Sequence, residues 1–208
     1  VLAGKWTLEK LRGVGGMAAV YEARHLNGMR AAVKVLHREL SFGREARERF
    51  VREAYAANNI GHPGTVRVFD NDVTTDGAVF LVMDLLDGDS LEALAQARGG
   101  VLDVSLVLEI VDHALDVLAA AHDHGVVHRD IKPDNLFLTR EGRVMVLDFG
   151  IARMRELGGR SLPRLTFTKN AVLGTPAFMA PEQAAGVMEE LTPSCDLFAL
   201  GATMFTLL

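Results

Sequence analysis

The sequence predicts an α+β fold in two lobes, a small antiparallel β-sheet lobe with one helix followed by a mainly helical large lobe. Three observations predict it: short β-rich runs separated by glycines, one charged helical stretch among them, and helical periodicity from Ser90 onward. With 208 residues, 49% of them hydrophobic, the chain can bury one substantial core or two small ones.

The predicted small lobe, residues 1–86, contains five short strands and one helix. Each strand is rich in β-formers or apolar residues. The helix, Arg44 to Asn59, is highly charged, and the breaker His62-Pro63-Gly64 returns the chain to strands. The predicted strands are Trp6 to Leu11, Ala19 to Arg24, Arg30 to Leu36, Val66 to Phe69 and Val79 to Met83.

Helical periodicity dominates the predicted large lobe, residues 87–208, which begins with a turn at Asp87-Gly88-Asp89. A long helix is expected after an N-cap at Ser105. The segment from Met154 to Ala171 is too long for a simple connector and predicts a functional loop. The apolar run Leu197 to Leu208 predicts a buried helix and ends without a cap, so we expect this lobe to be incomplete. The apolar stripe of the long helix is Leu106, Ile110, Ala114, Val117 and Ala121.

Composition limits the classes of partner. The formal net charge of -5 provides no basic field, which disfavours nucleic acid as a partner. The lone Cys195 excludes an internal disulfide, predicts a small buried hydrophobe and suits a reducing compartment. No run reaches the ~18 apolar residues of a membrane span, and no signal peptide opens the chain. We therefore expect a cytoplasmic domain, with any membrane anchor of the parent protein outside this chain.

A glycine-rich stretch, Gly13-Val14-Gly15-Gly16-Met17-Ala18-Ala19-Val20, lies between the first two predicted strands. Small residues there would let backbone N–H groups approach phosphate oxygens. The stretch also resembles a dinucleotide-binding fingerprint, but that fingerprint needs a helix directly afterwards, whereas residues 19–23 indicate a strand. A phosphate-covering strand–loop–strand is favoured, and a plain glycine hairpin stays open as the alternative.

Lys34 lies in the apolar strand Ala32-Val33-Lys34-Val35. A lysine on the inner face of such a strand needs an anionic partner, for which Glu53 on the charged helix is the candidate. The alternatives are that Lys34 faces water on an edge strand and that Glu53 is an ordinary solvated helical glutamate.

The segment His128-Arg129-Asp130-Ile131-Lys132-Pro133-Asp134-Asn135 indicates phosphoryl transfer. Asp130 can accept a hydrogen bond from an attacking hydroxyl, Lys132 can neutralise a transferring phosphate, and Asn135 can ligate a hard cation. Six specified residues should coincide by chance only on the order of once in 10⁷–10⁸ positions. Asp148-Phe149-Gly150, after a predicted strand from Arg143 to Leu147, offers a further Mg²⁺ ligand.

With these motifs in this order, the chain resembles a eukaryotic-type (Hanks-type) protein kinase, and within that family the bacterial serine/threonine enzymes. The resemblance covers nearly every residue from Trp6 to Leu208 and includes Ala180-Pro181-Glu182. Gly150-Ile151-Ala152-Arg153 and Pro181-Glu182-Gln183 are similar to the bacterial branch. It implies the bilobal protein kinase fold, ATP and Mg²⁺ as cofactors, and protein serine and threonine hydroxyls as substrates.

The resemblance also implies residue roles. Asp130 is the expected catalytic base, and Lys34 is expected to contact the α- and β-phosphates while Glu53 holds it. Asn135 and Asp148 are the expected Mg²⁺ ligands. Leu85 and Leu86 resemble the adenine-binding hinge, with Met83 guarding the back of that site. The implied catalytic set is Asp130, Lys132, Lys34 and Glu53, and the implied nucleotide set is Gly13, Val14, Gly15, Gly16, Val20, Ala32, Lys34, Met83, Asp84, Leu86, Asn135 and Asp148.

Specificity and regulation follow from the same resemblance. Lys132 and Thr175 imply serine/threonine rather than tyrosine specificity. Arg129 beside Asp130 implies control by a phosphorylated activation loop, because an arginine can pair bidentately with a phosphate. Thr166 and Thr168 are the expected acceptors, reached by self-association and autophosphorylation, and Ser161 is a weaker candidate.

Five further residues have simpler interpretations. Ala18 stands where many relatives carry a third glycine, which predicts slower or weaker nucleotide handling. His122 and His124 are interpreted as surface groups rather than metal ligands. His128 is expected to pack in the core, and Asp196 resembles the residue that hydrogen-bonds the backbone of the catalytic segment.

Two other functions are alternatives to an active kinase. A nucleotide-holding pseudokinase or scaffold is disfavoured by the intact catalytic set of charged and amide residues. A small-molecule phosphotransferase of the same broad fold is disfavoured because Gly174-Thr175-Pro176 and Ala180-Pro181-Glu182 resemble the platform that receives a peptide.

Overall fold

A computed structural model describes residues 1–41, 43–149, 176–185 and 192–208 of the chain. They form two compact units: unit 1 comprises Val1–Asn58 and Val66–Asp87, and unit 2 comprises Asn59–Thr65 and Gly88–Leu208. The segment 59–65 joins unit 2 because the Gly64 carbonyl accepts a 2.8 Å hydrogen bond from Val146 N and Thr65 bridges the same residue. The sequence alone does not indicate this, because the partners lie far apart along the chain.

Unit 1 contains a five-stranded antiparallel sheet in the order β1-β2-β3-β5-β4. The predicted fourth strand, Val66 to Phe69, is confirmed as a strand, but its bounds were wrong. The strand begins at Val68 and continues through three polar residues to Val73, which is tolerated because β4 is an edge strand and exposes one side to water. The strands are β1 (Trp6–Val14), β2 (Ala18–His25), β3 (Arg30–Leu36), β4 (Val68–Val73) and β5 (Val79–Met83).

One face of this sheet forms the core of unit 1. Side chains alternate along a strand, so every second residue of the three central strands faces the same way. Two helices, α1 (Arg38–Ser41) and α2 (Arg44–Ile60), follow β3. The core cluster on this face is Trp6, Ala23, Ala31, Val33, Phe80 and Val82.

Among its described residues, unit 2 has a small sheet in the order β6-β7-β8 and four α-helices. The turn predicted at residues 87–89 was wrong, because residues 88–90 form strand β6 and pair with β7. Gly88 has φ 151° and opposes Thr139, and a Cβ on Gly88 would lie 2.2 Å from the Leu138 carbonyl oxygen. Here the glycine allows close strand approach rather than a turn. The elements are β6 (Gly88–Ser90), β7 (Leu136–Thr139), β8 (Val144–Val146), α3 (Leu91–Ala97), α4 (Val104–Asp123), α5 (Pro181–Ala184) and α6 (Ser194–Leu207).

The long helix α4 is capped by Asp103, so the predicted N-cap at Ser105 was wrong. The Asp103 carboxylate accepts hydrogen bonds from Ser105 N and Leu106 N at 2.9 and 3.3 Å, which satisfies two of the N–H groups that lack a helical partner. Leu106 is half-buried rather than core. The buried face of α4 is Val107, Ile110, Ala114, Val117, Leu118 and Ala121.

The last helix, α6, confirms the buried helix predicted near the end of the sequence, although it begins at Ser194 rather than Leu197. Its inner face includes Cys195 and Asp196, both fully buried. Burial raises the pKa of the Cys195 thiol to about 12, so the thiol stays protonated, and the prediction of a small buried hydrophobe is confirmed. No helix within the described ranges is both long and apolar enough to cross a bilayer.

Candidate active site

The segment from His128 to Asn135 in unit 2, named the catalytic segment after its predicted role, contains a buried histidine, His128, which is 0% exposed. Its Nε2 donates to the Leu147 carbonyl oxygen at 2.7 Å, and its Nδ1 accepts from Asp130 N at 3.2 Å. These partners require the tautomer with the proton on Nε2. The ring also packs edge-on against Phe149, with centroids 4.8 Å apart. The prediction that His128 is a core residue is therefore confirmed.

Asp196 on α6 also contacts this segment, and it is 0% exposed. Its carboxylate accepts hydrogen bonds from the backbone N–H groups of His128 and Arg129 at 2.8 and 2.6 Å. This confirms the predicted contact of Asp196 with the backbone of the segment. A buried carboxylate with several donors is stable because charge-assisted hydrogen bonds replace its lost hydration.

His122 is a third donor to that carboxylate, which the sequence analysis missed. Its Nε2 lies 2.8 Å from Asp196 Oδ2, and its side chain is only 15% exposed. The interpretation of His122 as a surface group was therefore wrong. Its position in the last turn of α4 turns the ring toward α6, and only this long-range pairing distinguishes it from His124, whose Nδ1 bonds its own helix at Ala120 O.

The polar groups predicted for phosphoryl transfer meet around Asp130. Lys132 Nζ donates to Asp130 Oδ2 at 2.9 Å. Asn135 Nδ2 donates to the backbone oxygen of Asp130 at 2.6 Å and to its Oδ2 at 3.1 Å. The carboxylate is thus held by one ammonium and one amide, while its side chain remains 24% exposed. The other carboxylate oxygen, Oδ1, takes no part in these three hydrogen bonds.

Asn135 is oriented by its partners. Both are acceptors, so the amide NH₂ faces them and the carbonyl oxygen Oδ1 points elsewhere. The backbone oxygen of Asn135 accepts from Leu147 N at 2.8 Å, which brings Asp148, the next residue, beside this segment. Asp148 is exposed. Amide oxygens and carboxylates are donor types that Mg²⁺ prefers, and the predicted role of these two residues as magnesium ligands stays a prediction.

Two residues of this region adopt the left-handed conformation that normally favours glycine. Arg129 has φ 67° and Asp148 has φ 62°. Such a conformation costs a non-glycine residue energy and persists only where its surroundings enforce it. The hydrogen bond from Arg129 N to Asp196 is one such constraint.

A second contact missed by the sequence analysis ties α5 to the catalytic segment. Gln183 Nε2 donates to the Arg129 carbonyl at 3.0 Å, while its Oε1 accepts from Ala180 N at 3.3 Å. A single glutamine thus caps the helix that begins at Pro181 and supports the residue before Asp130.

In unit 1, four residues of the predicted nucleotide set lie on the sheet face opposite the core. Val20 opposes Lys34, and Ala32 opposes both Glu22 and Met83. Residues that oppose each other, or lie two apart, share a face. Lys34 lies on a central strand and is 7% exposed, so the alternative that placed it on a wet edge strand was wrong.

The glycine-rich stretch is a β-hairpin between β1 and β2. Gly15 N donates to Ala18 O at 2.9 Å, which closes the turn, and Gly13 opposes Val20. His37 steadies the turn from the end of β3 because its backbone N–H donates to Met17 O and its Nε2 lies 2.8 Å from Gly15 O. The strand after the glycines excludes the dinucleotide-binding alternative, which requires a helix there.

Asp84 follows β5 directly and precedes the predicted hinge, Leu85 and Leu86. Asp84 N donates to the Arg67 carbonyl at 3.0 Å, and Arg67 N donates to Asp84 Oδ2 at 3.0 Å. These reciprocal bonds fix the chain just before Leu85 and Leu86, both half-buried. The Asp84 side chain is thus engaged within its own unit.

Several predicted residues lie outside what the structure describes. They are the Glu53 side chain, Gly150, the loop from Met154 to Ala171 with Ser161, Thr166 and Thr168, and the stretch Gly174-Thr175. Their predicted roles stay predictions.

Comparison with known proteins independently supports the resemblance to protein kinases. A family model described as "Protein kinase domain" matches residues 6–208. The chain is 41% identical over 213 residues to the serine/threonine-protein kinase Pkn1 of Myxococcus xanthus, covering 100% of this chain and 29% of that protein. It is 35% identical over 211 residues to the serine/threonine-protein kinase PknB of Mycolicibacterium smegmatis, covering 100% and 33%.

A solved structure also matches the fold of this chain. The kinase domain of PknI from Mycobacterium tuberculosis superposes with a TM-score of 0.74 at 30% identity, covering 100% of this chain and 75% of that one. The chain spans only 29% and 33% of the length of the two curated relatives above.

Proposed function

The chain belongs to the protein kinase domain family, and on this premise we propose that it transfers the γ-phosphate of ATP to serine and threonine hydroxyls of proteins. The observation that carries the proposal is the Asp130 carboxylate, which accepts hydrogen bonds from Lys132 and Asn135. The same segment is fixed by the hydrogen bond from His128 N to the buried Asp196 carboxylate. In-line transfer requires little covalent chemistry from a protein, and positioned charges of this kind supply most of what it needs.

Asp130 is the proposed base. Its Oδ2 is engaged by Lys132 and Asn135, so Oδ1 is the oxygen available to accept the hydroxyl proton of a substrate. Lys132, already close to that carboxylate, is placed to balance charge on a transferring phosphoryl group. Serine and threonine fit this arrangement as acceptors, and the same specificity appears in the names of the relatives.

Asn135 and Asp148 are the proposed magnesium ligands, through the amide Oδ1 and the carboxylate. The ion, when bound, would neutralise phosphate charge. Lys34, buried on the face that carries Val20 and Ala32, is the proposed partner of the α- and β-phosphates.

A transfer assay tests the proposal. Incubation of the protein with Mg²⁺, γ-labelled ATP and a generic basic protein should place label on serine and threonine but not tyrosine. Chelation of Mg²⁺ should abolish the signal because the charge on the phosphates would no longer be neutralised. Nucleotide binding without label transfer would favour a scaffold, and label on a small-molecule acceptor alone would favour a different phosphotransferase.

We further propose that the protein phosphorylates its own loop at Thr166 or Thr168, in encounters between two copies. Arg129, next to the proposed base, could pair with the new phosphate. Mass spectrometry after incubation with Mg²⁺ and ATP should find phosphate on at least one of the two threonines, with Ser161 a weaker site. The Asp130→Asn variant is the control and should stay unmodified. An active protein whose two threonines both remain bare would contradict this proposal.

A further inference from the structure

A cluster of charged residues on unit 1 lies beside the proposed nucleotide-binding face. Glu22 on β2 is 6% exposed, and each of its carboxylate oxygens receives one arginine. Arg12 on β1 donates from Nε to Oε2 at 3.0 Å, and Arg30 on β3 donates from Nε to Oε1 at 3.1 Å. The second guanidinium nitrogen of each arginine contacts the same oxygen. One buried carboxylate therefore joins three neighbouring strands.

The strand register locates this cluster. Glu22 opposes Ala32, which in turn opposes Met83, so the three form one row across the sheet. The next row on the same face contains Val20 and Lys34. Two residues along a strand correspond to roughly 7 Å. The cluster thus lies level with Met83, the residue expected to guard the back of the adenine site, and one row away from the lysine proposed for the phosphates.

The charges of the cluster are strongly coupled. Hydrogen bonds from Arg30 and then Arg12 lower the pKa of Glu22 below its usual value. The side chains of Arg12 and Arg30 remain 43% and 52% exposed. Arg12 directly precedes Gly13, the first glycine of the hairpin. The position of the hairpin stem is therefore coupled to β3 through Glu22.

We propose that Arg12, Glu22 and Arg30 form a positioning cluster for the nucleoside part of the nucleotide. The cluster holds the stem of the glycine-rich hairpin in register with the row of Ala32 and Met83, so it sets the affinity for the base and ribose. It has no part in the transfer step. This inference rests on the proposed function, because it assumes that the face containing Val20 and Lys34 binds ATP.

Glu22→Gln tests the proposal because it removes the charge while keeping the size of the side chain. We expect roughly tenfold weaker binding of both Mg-ATP and adenosine, a KM for ATP raised by the same factor, and kcat changed by less than about twofold. Calorimetry gives the two affinities and steady-state kinetics gives KM and kcat. A loss of uniform binding raises KM without lowering kcat.

The chain offers a matched control in Glu9→Gln. Glu9 pairs with Arg24 across the same two strands, at 2.6 Å, but this pair is exposed and lies farther from the glycines. An exposed pair contributes little, so binding should change by less than about twofold. Arg12→Lys is the second variant, because it keeps the positive charge but loses the planar guanidinium group. It should weaken the binding of both Mg-ATP and adenosine. It replaces Glu22→Gln if that variant does not fold.

The possible outcomes distinguish failure of the positioning cluster from failure of the proposed function. If the unaltered protein binds neither ATP nor adenosine, the proposed function fails. If it binds both and Glu22→Gln behaves like Glu9→Gln, the positioning cluster is refuted. Weaker ATP binding with unchanged adenosine binding would also refute it, because the cluster would then act on the phosphates.

Discussion

Replacing Asp130 by asparagine is expected to lower kcat by roughly 10²–10⁴. The substitution keeps the shape of the side chain but removes the atom that accepts the hydroxyl proton. It also places an amide where Lys132 and Asn135 now donate to a carboxylate, at 2.9 and 3.1 Å. Steady-state transfer to a protein substrate measures the loss. The affinity for ATP should stay within a few-fold because no predicted nucleotide contact is altered.

Asp134→Asn is the matched control for this substitution. It makes the same chemical change four residues later in the same segment, at an exposed carboxylate that does not donate or accept in the Asp130 cluster. Its kcat should remain within about threefold of the unaltered protein, because Asp134 makes none of the hydrogen bonds that hold the Asp130 carboxylate. Burial raises the pKa of the Asp134 carboxyl, but its oxygens do not orient the proposed base. Equal turnover in the Asp130 variant and the control would remove Asp130 from its proposed role.

Replacing Asp196 by alanine is expected to destabilise the protein by about 3–5 kcal/mol. The carboxylate accepts from His128 N, Arg129 N and His122 Nε2, at 2.8, 2.6 and 2.8 Å. Truncation leaves these donors without their acceptor in a site that is 0% exposed. Chemical or thermal unfolding measures the change. Asparagine should cost less than alanine, because its carbonyl oxygen can still accept from one donor.

Thr203→Val provides the control on the same buried face of α6. Thr203 is 0% exposed, and among the residues that the structure describes its Oγ1 has no hydrogen-bond partner. Replacing this hydroxyl by a methyl group should be neutral or slightly stabilising, because no hydrogen bond is lost. If Asp196→Ala and Thr203→Val unfold alike, the Asp196 carboxylate does not anchor the catalytic segment.

Sequence reasoning predicted those parts of the protein that depend on local pattern. Runs of β-formers and apolar residues, separated by glycines, predicted the first three strands of the sheet and the fifth to within a few residues. The segment from His128 to Asn135 predicted which polar groups would meet, because turns of a few residues bring Lys132 and Asn135 back to Asp130 whatever surrounds them. Short-range geometry is encoded in spacing.

What sequence reasoning missed depends on contacts between distant residues. His122 differs from His124 only in facing α6, and Gln183 supports Arg129 from far along the chain. Neither pairing has a local signal. The polar continuation of β4 and the strand at Gly88 were missed because propensity disfavours both, whereas a neighbouring strand stabilises them. The cap at Asp103 was missed because Asp103 and Ser105, two residues apart, are both residue types that cap helices, and only the backbone geometry decides between them.

The left-handed backbone at Arg129 and Asp148 has a consequence for entropy. A residue held in a sparsely populated conformation can keep it only while the packed surroundings persist, so folding itself restricts the rotations that aim Asp130 and Asp148. A ligand would then bind to groups that folding has already ordered. Little of its binding free energy is needed to order them, and the arrangement is pre-organised before any ligand arrives.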